Sequence, residues 1–324
     1  MRTVKLISSA TLALLVLVAT ACVASTSTPA TLSPIVTSTQ TPARAAFPVT
    51  VTDVLGRNVT VPSLPDRIIS LAPSNTEVLF AVGAGNLVVG VTSYDNYPPE
   101  TLTRDKVGGF YANSISVEKI VNLKPALVFS AGKAQVSLIP LLEQAGIRVV
   151  ALDPSTFEEV YDNIALVGRL TGHSEEADRV VAQMKDRVAA IREKTASVPK
   201  EKRATVFYEV WNEPLMTAGP STFIGQMIDL AGGVNIFSDV TTQYPQVSTE
   251  EVIMRNPSVI LGPDTHGDKL TPEQVAQRPG WGQIDAVKNG NVHLVNGDIV
   301  SRPGPRLADA LEAIAKAIYP NLFP

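Results

Sequence analysis

Ser116-Val117-Glu118-Lys119-Ile120-Val121-Asn122-Leu123-Lys124-Pro125-Ala126-Leu127-Val128-Phe129 and Ser248-Thr249-Glu250-Glu251-Val252-Ile253-Met254-Arg255-Asn256-Pro257-Ser258-Val259-Ile260-Leu261 align without a gap. They share Ser, Glu and Pro at one offset, and most other positions keep their apolar or polar character. In each copy a serine stands where a helix N-cap belongs, an apolar helical face follows, and a proline closes the turn before a short apolar strand. One unit of helix, turn and buried strand written twice in a chain points to two similar lobes.

The surroundings of both copies keep that cadence. Residues 49–53 and 58–61 flank Leu55-Gly56-Arg57 as a hairpin. Residues 67–71 and 87–91 read as strands, with a helix between them that is capped at Pro73-Ser74-Asn75 and stopped by Gly83. The first copy leads into a helix over residues 136–144 and a strand over 148–152. Around the second copy the order recurs: a strand over 204–210, a helix over 223–231 stopped by Gly232-Gly233, and a closing strand over 291–295. A capping box of Ser248 with Glu251 is expected at the start of the second copy. Short apolar strands alternating with helices imply parallel sheets covered on both faces.

Between the two halves lies one long amphipathic pattern over residues 174–196, with Ala177, Val180, Val181, Met184, Val188 and Ile191 on one face. Glu175, Glu176 and Asp178 open it and Arg192 and Lys194 close it, as the helix dipole favours. Such a helix is roughly 33 Å long, about one domain diameter. The expected fold is therefore α/β, two Rossmann-like lobes with mainly parallel sheets, residues 48–170 and 199–324, joined by one long rigid α-helix within residues 171–198.

At the N-terminus, Arg2 and Lys5 precede an uncharged, mostly apolar stretch over residues 6–21, the plan of an export signal. The stretch ends Ala19-Thr20-Ala21-Cys22, small residues directly before the only cysteine, which resembles the cleavage site of bacterial lipoproteins except that Ala19 stands where leucine is preferred. Residues 1–21 are expected to be a signal peptide, Cys22 the lipidated residue, and residues 22–47 a disordered Ser/Thr/Pro tether. The expected location is extracytoplasmic, lipid-anchored to the cell membrane in a periplasm or on an outer face. With no second cysteine an internal disulfide is impossible, so packing must stabilise the fold. The net charge of −4 becomes −6 once residues 1–21, with Arg2 and Lys5 and no acids, are removed; an acidic chain without basic runs argues against nucleic acid.

Two like lobes leave a cleft, and clefts between domains take small ligands. Aromatics are only 6% of the chain, yet Tyr94, Tyr97, Phe110, Tyr111, Trp211 and Tyr244 all fall in predicted loops among Pro, Gly and Asn. That placement suits a large, partly flat ligand held by contact area. Asp298 through Arg302 is a further candidate segment at a strand end. Enzyme chemistry finds no residues: His173, His266 and His293 are isolated, no metal-ligand spacing occurs, Gly83-Ala84-Gly85 follows a helix rather than a strand, and no nucleophile elbow or phosphate loop is present. The expectation is no enzyme, no catalytic residue, no metal and no cofactor. Glu118 and Glu250 repeat at matching positions of the two lobes, where a carboxylate either favours the helix dipole or grips a two-fold partner.

From residue 65 onward the chain resembles the helical-backbone class of ABC-importer binding proteins, most closely the vitamin B12-binding family. The resemblance is carried by Arg67-Ile68-Ile69-Ser70-Leu71-Ala72-Pro73-Ser74-Asn75-Thr76-Glu77, Ser93-Tyr94-Asp95-Asn96-Tyr97-Pro98-Pro99, Leu123-Lys124-Pro125-Ala126-Leu127-Val128, Gly232-Gly233-Val234-Asn235-Ile236-Phe237 and Tyr244-Pro245-Gln246-Val247-Ser248-Thr249-Glu250. It implies a monomer that captures a corrinoid (cobalamin) between its lobes and delivers it to a permease and ATPase complex. Glu118 and Glu250 match the family's permease-docking glutamates, Tyr97 a corrin contact, Phe110, Trp211 and Tyr244 the aromatics around the ring, and Asp298 a polar contact. Phe110 and Tyr244 replace tryptophans and the segment 111–115 is longer than its counterpart, so the pocket is reshaped. Ferric-siderophore and haem binders share the scaffold. A haem would call on Tyr97, Tyr111 or Tyr208, and an anionic siderophore on Arg302 or Arg306. A surface sensor or adhesin is the reading from a different class.

Overall fold

The computed structural model describes residues 47–264 and 271–323; the expected signal peptide, Cys22, nearly all of the tether, and His266 lie outside them. Strands β1 (Val49–Thr52) and β2 (Asn58–Val61) form the antiparallel hairpin, and Gly56 supplies the positive φ of its turn. The first lobe holds β3 (Ile68–Ser70), β4 (Val88–Val91), β5 (Asp105–Lys106), β6 (Leu127–Ser130) and β7 (Val149–Ala151) in the order β5-β4-β3-β6-β7, all parallel. The second holds β8 (Thr205–Trp211), β9 (Met216–Thr217), β10 (Val234–Asn235), β11 (Val259–Pro263) and β12 (Val292–Val295). Its order is β10-β8-β11-β12, parallel throughout, with β9 antiparallel on β8.

The sequence repeat is a repeat of structure. Its two helices, Val117–Asn122 and Thr249–Arg255, are capped by the side chains of Ser116 and Ser248, which accept from the backbone N–H three residues on. Lys124 and Asn256, at the same offset, are the described non-glycine residues with positive φ, and each precedes the repeated proline. Beyond the prolines, β6 pairs with β3 and β11 with β8, with Leu127 opposite Ile68 and Val259 opposite Val206. The expected capping box is not closed, because the Glu251 carboxylate turns forward to Arg255 at 2.8 Å.

Helix Ser174–Ala196 spans the expected residues. Ala177, Met184 and Ile191, one every second turn, are its buried apolar stripe. They belong to one apolar cluster that runs from Ile68 and Val150 of the first sheet, through this helix, to Val206 and Leu261 of the second. The outer faces of the two sheets have separate cores, around Ile69 and Leu142 in one lobe and Phe207 and Trp281 in the other. The lobes are therefore fused through a shared inner core, and bending them apart means parting buried apolar surface.

Several elements differ from expectation or went unread, among them three in the first lobe. Helix Phe157–Thr171, ended by Gly172 in the left-handed region, packs into the shared core through Val160, Ile164, Val167 and Leu170. The expected helix over 136–144 is a 3₁₀ turn, Gly132–Leu138, followed by an α-helix, Ile139–Gln144, because Pro140 has no N–H for a helix interior and so belongs in a first turn. Strand β5, two polar residues long, carries no apolar signal at all.

Candidate functional site

A cavity of about 1210 Å³ lies where the strands of both lobes end. In the first sheet the strand order reverses at β3, and the residues after β3 (Ala72, Pro73, Ser74) and after β6 (Ala131, Lys133) line the cavity, the switch-point position expected of an open α/β sheet. Tyr94, Phe110 and Tyr111 add to the first lobe's wall; Phe223, Tyr244, Asp298 and Arg302 come from the second.

One buried side chain organises the first wall. Gln135 Nε2 donates to Leu71 O and Phe110 O, both at 2.7 Å, and its Oε1 accepts from Ala131 N–H at 2.8 Å. The ends of β3 and β6 and the aromatic loop are thereby tied at one point. The Phe110 and Tyr111 rings meet edge to face, 5.4 Å between centroids. Burial pushes the Tyr244 hydroxyl up, so it is a neutral donor or acceptor at physiological pH.

The wall's charges are largely compensated. Arg302 pairs with Glu77 at 3.1 Å and Asp298 at 2.8 Å, and Arg306 donates through Nε to Glu77 at 2.8 Å. Arg306 holds its proton more firmly than usual: burial works against the charge, and Glu77 outweighs it. Asp153 and Glu159 stand on the wall near Lys133. The Ser155 backbone N–H and hydroxyl, both bonded to Glu159, hold its carboxyl below the usual range.

Of the sequence-predicted ligand residues, Phe110, Tyr111, Tyr244, Asp298 and Arg302 line this cavity. Tyr97 and Trp211 do not. Tyr97, 44% exposed, lies beneath the Arg306 guanidinium at 4.0 Å, and Trp211, 42% exposed, donates its indole N–H to Glu213 O at 2.8 Å. Tyr208 is buried on β8 and does not line the cavity; burial and then the neighbouring Tyr244 and Asp264 raise its pKa. Arg302 and Arg306, the arginines an anionic siderophore would call on, both donate to Glu77. Glu118 and Glu250 are exposed in the first turns of their helices. His173 Nδ1 donates to Thr171 O at 2.8 Å, burial lowers the His293 pKa, and among the described residues no cluster of three metal-ligating side chains occurs. Sequence reading passed over Gln135, Glu77 and Asn96, whose polar side chains show their role only once distant strand ends are brought together.

Known proteins bear on this arrangement. An uncharacterized ABC transporter substrate-binding lipoprotein of Bacillus subtilis is 38% identical over 282 residues, covering 86% of this chain and 87% of that protein. A cobalamin-binding protein of Halobacterium salinarum is 33% identical over 280 residues, covering 85% and 75%. Among solved structures, the periplasmic vitamin B12 binding protein of Vibrio cholerae superposes with a TM-score of 0.67 at 30% identity, covering 79% of this chain and 98% of that one. A periplasmic heme-binding protein from Roseiflexus superposes with a TM-score of 0.69 at 27% identity, covering 79% and 99%, so the fold does not by itself choose a ligand. The periplasmic binding protein family model matches residues 68–298, which hold both sheets and nearly all of the cavity wall. The chain belongs to that family and is a non-enzymatic substrate-binding protein of an ABC transporter, with a permease as its implied partner and a small molecule as its implied ligand.

Proposed function

We propose that the ligand is a corrinoid of the cobalamin type, captured between the lobes and delivered to the permease. The observation that carries this reading is the wall itself: Tyr94, Phe110, Tyr111 and Tyr244 surround about 1210 Å³ in which the arginine is already ion-paired. That volume exceeds the ~300–1,000 Å³ of sites for drug-sized ligands. A corrinoid is a broad ring with amide arms, which aromatic faces and isolated hydrogen-bonding groups hold by contact area. A haem brings two carboxylates and a ferric catecholate several negative charges. Against them the wall sets Asp153, Glu159 and Asp298, with Lys133 as its cation beside the paired Arg302. The B12- and cobalamin-binding relatives favour the same ligand.

In this reading Glu118 and Glu250 dock on the permease, the two helices presenting equivalent acids from equivalent places in the two lobes. Cys22 carries the lipid that keeps the protein at the membrane outside the cytoplasm, as the lipoprotein relative supports. Calorimetric titration of the purified protein with cyanocobalamin, haemin and a ferric tris-catecholate tests the ligand. Binding of cyanocobalamin at about micromolar Kd or tighter, with the two anions weaker by about two orders of magnitude, is the expected result. Tight haemin or catecholate binding without cyanocobalamin binding would sink it.

A further inference from the structure

Glu77 lies on helix Pro73–Ala81 of the first lobe and is 3% exposed. Its carboxylate is shared by two arginines of the second lobe: Arg302 Nη1 donates to Oε1 at 3.1 Å, and Arg306 donates to Oε2 through Nε at 2.8 Å and to Oε1 through Nη2. Asn96, also of the first lobe, closes the ring, accepting from Arg302 at 2.7 Å and donating to Asp298 at 2.9 Å. The Arg302–Asp298 pair completes it. Beneath, Arg306 covers the Tyr97 ring, and Gly304 lies so close to the helix start that a side chain there would touch Ser74 O. Two cations and two carboxylates thus meet across the lobes with their charges balanced.

The ring borders the cavity through Asn96, Asp298 and Arg302, while Glu77 and Arg306 stand behind the wall. A second crossing is uncharged: Phe157 meets Phe223 at 6.2 Å between centroids, and Gln226 donates to Ser155 O at 2.8 Å. That contact slides at small cost, because edge-to-face aromatics tolerate offset. The forked guanidinium bonds do not, since planar bidentate geometry fixes distance and direction together. Buried ion pairs add little net stability over apolar packing and are suited to selecting one arrangement.

We propose that Glu77 is a positioning residue of the binding cleft, clasping Arg302 and Arg306 across the lobes and so setting the width of the empty cleft. The ligand then meets a preformed floor, and the clasp acts on how long it stays. The inference rests on the corrinoid reading only for its second readout.

The experiment uses the full chain with Cys22→Ser, which removes its only cysteine, and spin labels at Leu141→Cys and Met254→Cys, exposed positions on different lobes. Without ligand, the parent is expected to give one narrow inter-label distance, Glu77→Gln a broader and longer one, and Glu77→Asp a partial return. In stopped-flow with cyanocobalamin, Glu77→Gln is expected to raise the dissociation rate about tenfold and to change the association rate by less than about threefold. A folded Glu77→Gln with the parent's distance distribution and dissociation rate overturns the proposal. Should circular dichroism show Glu77→Gln unfolded, Arg306→Gln takes its place; its side chain is nearer solvent and outside the wall, and an unchanged distance distribution there is equally fatal. If the parent binds no corrinoid, the ligand assignment fails, and the distances still decide the clasp.

Discussion

Gln135→Ala is the most telling single substitution in the first lobe. The side chain is fully buried and makes three hydrogen bonds to backbone groups: the carbonyls of Leu71 and Phe110 and the N–H of Ala131. Each neutral bond contributes about 1 kcal/mol net, and each buried group left unpaired costs ~1–3 kcal/mol. Water admitted to the space repairs part of the loss, so the expected destabilisation is about 3 kcal/mol, the sum of the net contributions. Gln135→Glu is expected to cost at least as much, because a carboxylate would face two carbonyls with nothing to donate. Urea unfolding read by circular dichroism measures the change as a shift in midpoint at constant slope. The same variant loosens the Phe110 loop, and a weakening of ligand affinity of about tenfold is expected from the ordering that binding must then supply. A loss of stability below about 1 kcal/mol, with affinity unchanged, would refute the idea that Gln135 ties the wall together.

Met184→Ala, at the middle of the linking helix, should cost about 2–5 kcal/mol in the same unfolding assay, since its side chain is buried in the core that both lobes share. Glu118→Ala with Glu250→Ala should leave ligand affinity within about twofold and stop uptake in a reconstituted transporter, because these acids are exposed and do not line the cavity; transport at the parent rate removes their docking role. Asp95 supplies a pH test. Burial outweighs the bonds from Thr76 and Thr92 and raises its pKa, so the folded state holds this proton more tightly than the unfolded chain. Its contribution is favourable below the ordinary carboxylate pKa and is lost as pH rises through the raised folded value, and Asp95→Asn should flatten the stability profile in the range above the ordinary carboxylate pKa of about 4.

Much of the fold could be read from residue order because its signals are local. The repeat announced itself through two caps and two prolines, and the long helix through a stripe with acids first and bases last. Helix Phe157–Thr171 went unread although its signals are as local: Thr156 as cap, apolar residues at 157, 160, 161, 164 and 167, and Gly172 as stop. Strand β5 was not, for Asp105-Lys106 is a strand only because β4 offers an edge to pair with. The site divides in the same way. Loop aromatics stand out among Pro and Gly, so Phe110, Tyr111 and Tyr244 were found. Whether such a ring faces the cavity depends on partners near and far: Tyr97 is claimed by the distant Arg306, and Trp211 by the backbone of Glu213 two residues on. Arg302 was picked out and does line the cavity, but its partner Glu77 was not legible, because it lies on a helix of the other lobe, far away in sequence.

A shared core and a charged clasp together constrain how cargo leaves. In a binding protein whose lobes swing on a loose hinge, thermal motion alone opens the cleft. Here opening must separate apolar surface along the linking helix and break directional ion pairs at the cleft edge. The unliganded and liganded states are then close in shape, and little of the binding energy goes into closure. The work of release has to come from outside, at points where force reaches the wall. Under the proposed docking, helices Val117–Asn122 and Thr249–Arg255 are such points, since the chain passes from each through a proline into β6 and β11. Directly beyond β6 stands Ala131, on the cavity wall; directly beyond β11 stands Asp264, whose carboxylate accepts from the Gly297 N–H next to Asp298 of the wall. If the permease takes hold of Glu118 and Glu250 as proposed, its pull passes into β6 and β11, and the repetition of one helix-turn-strand unit in both lobes gives it two matching handles.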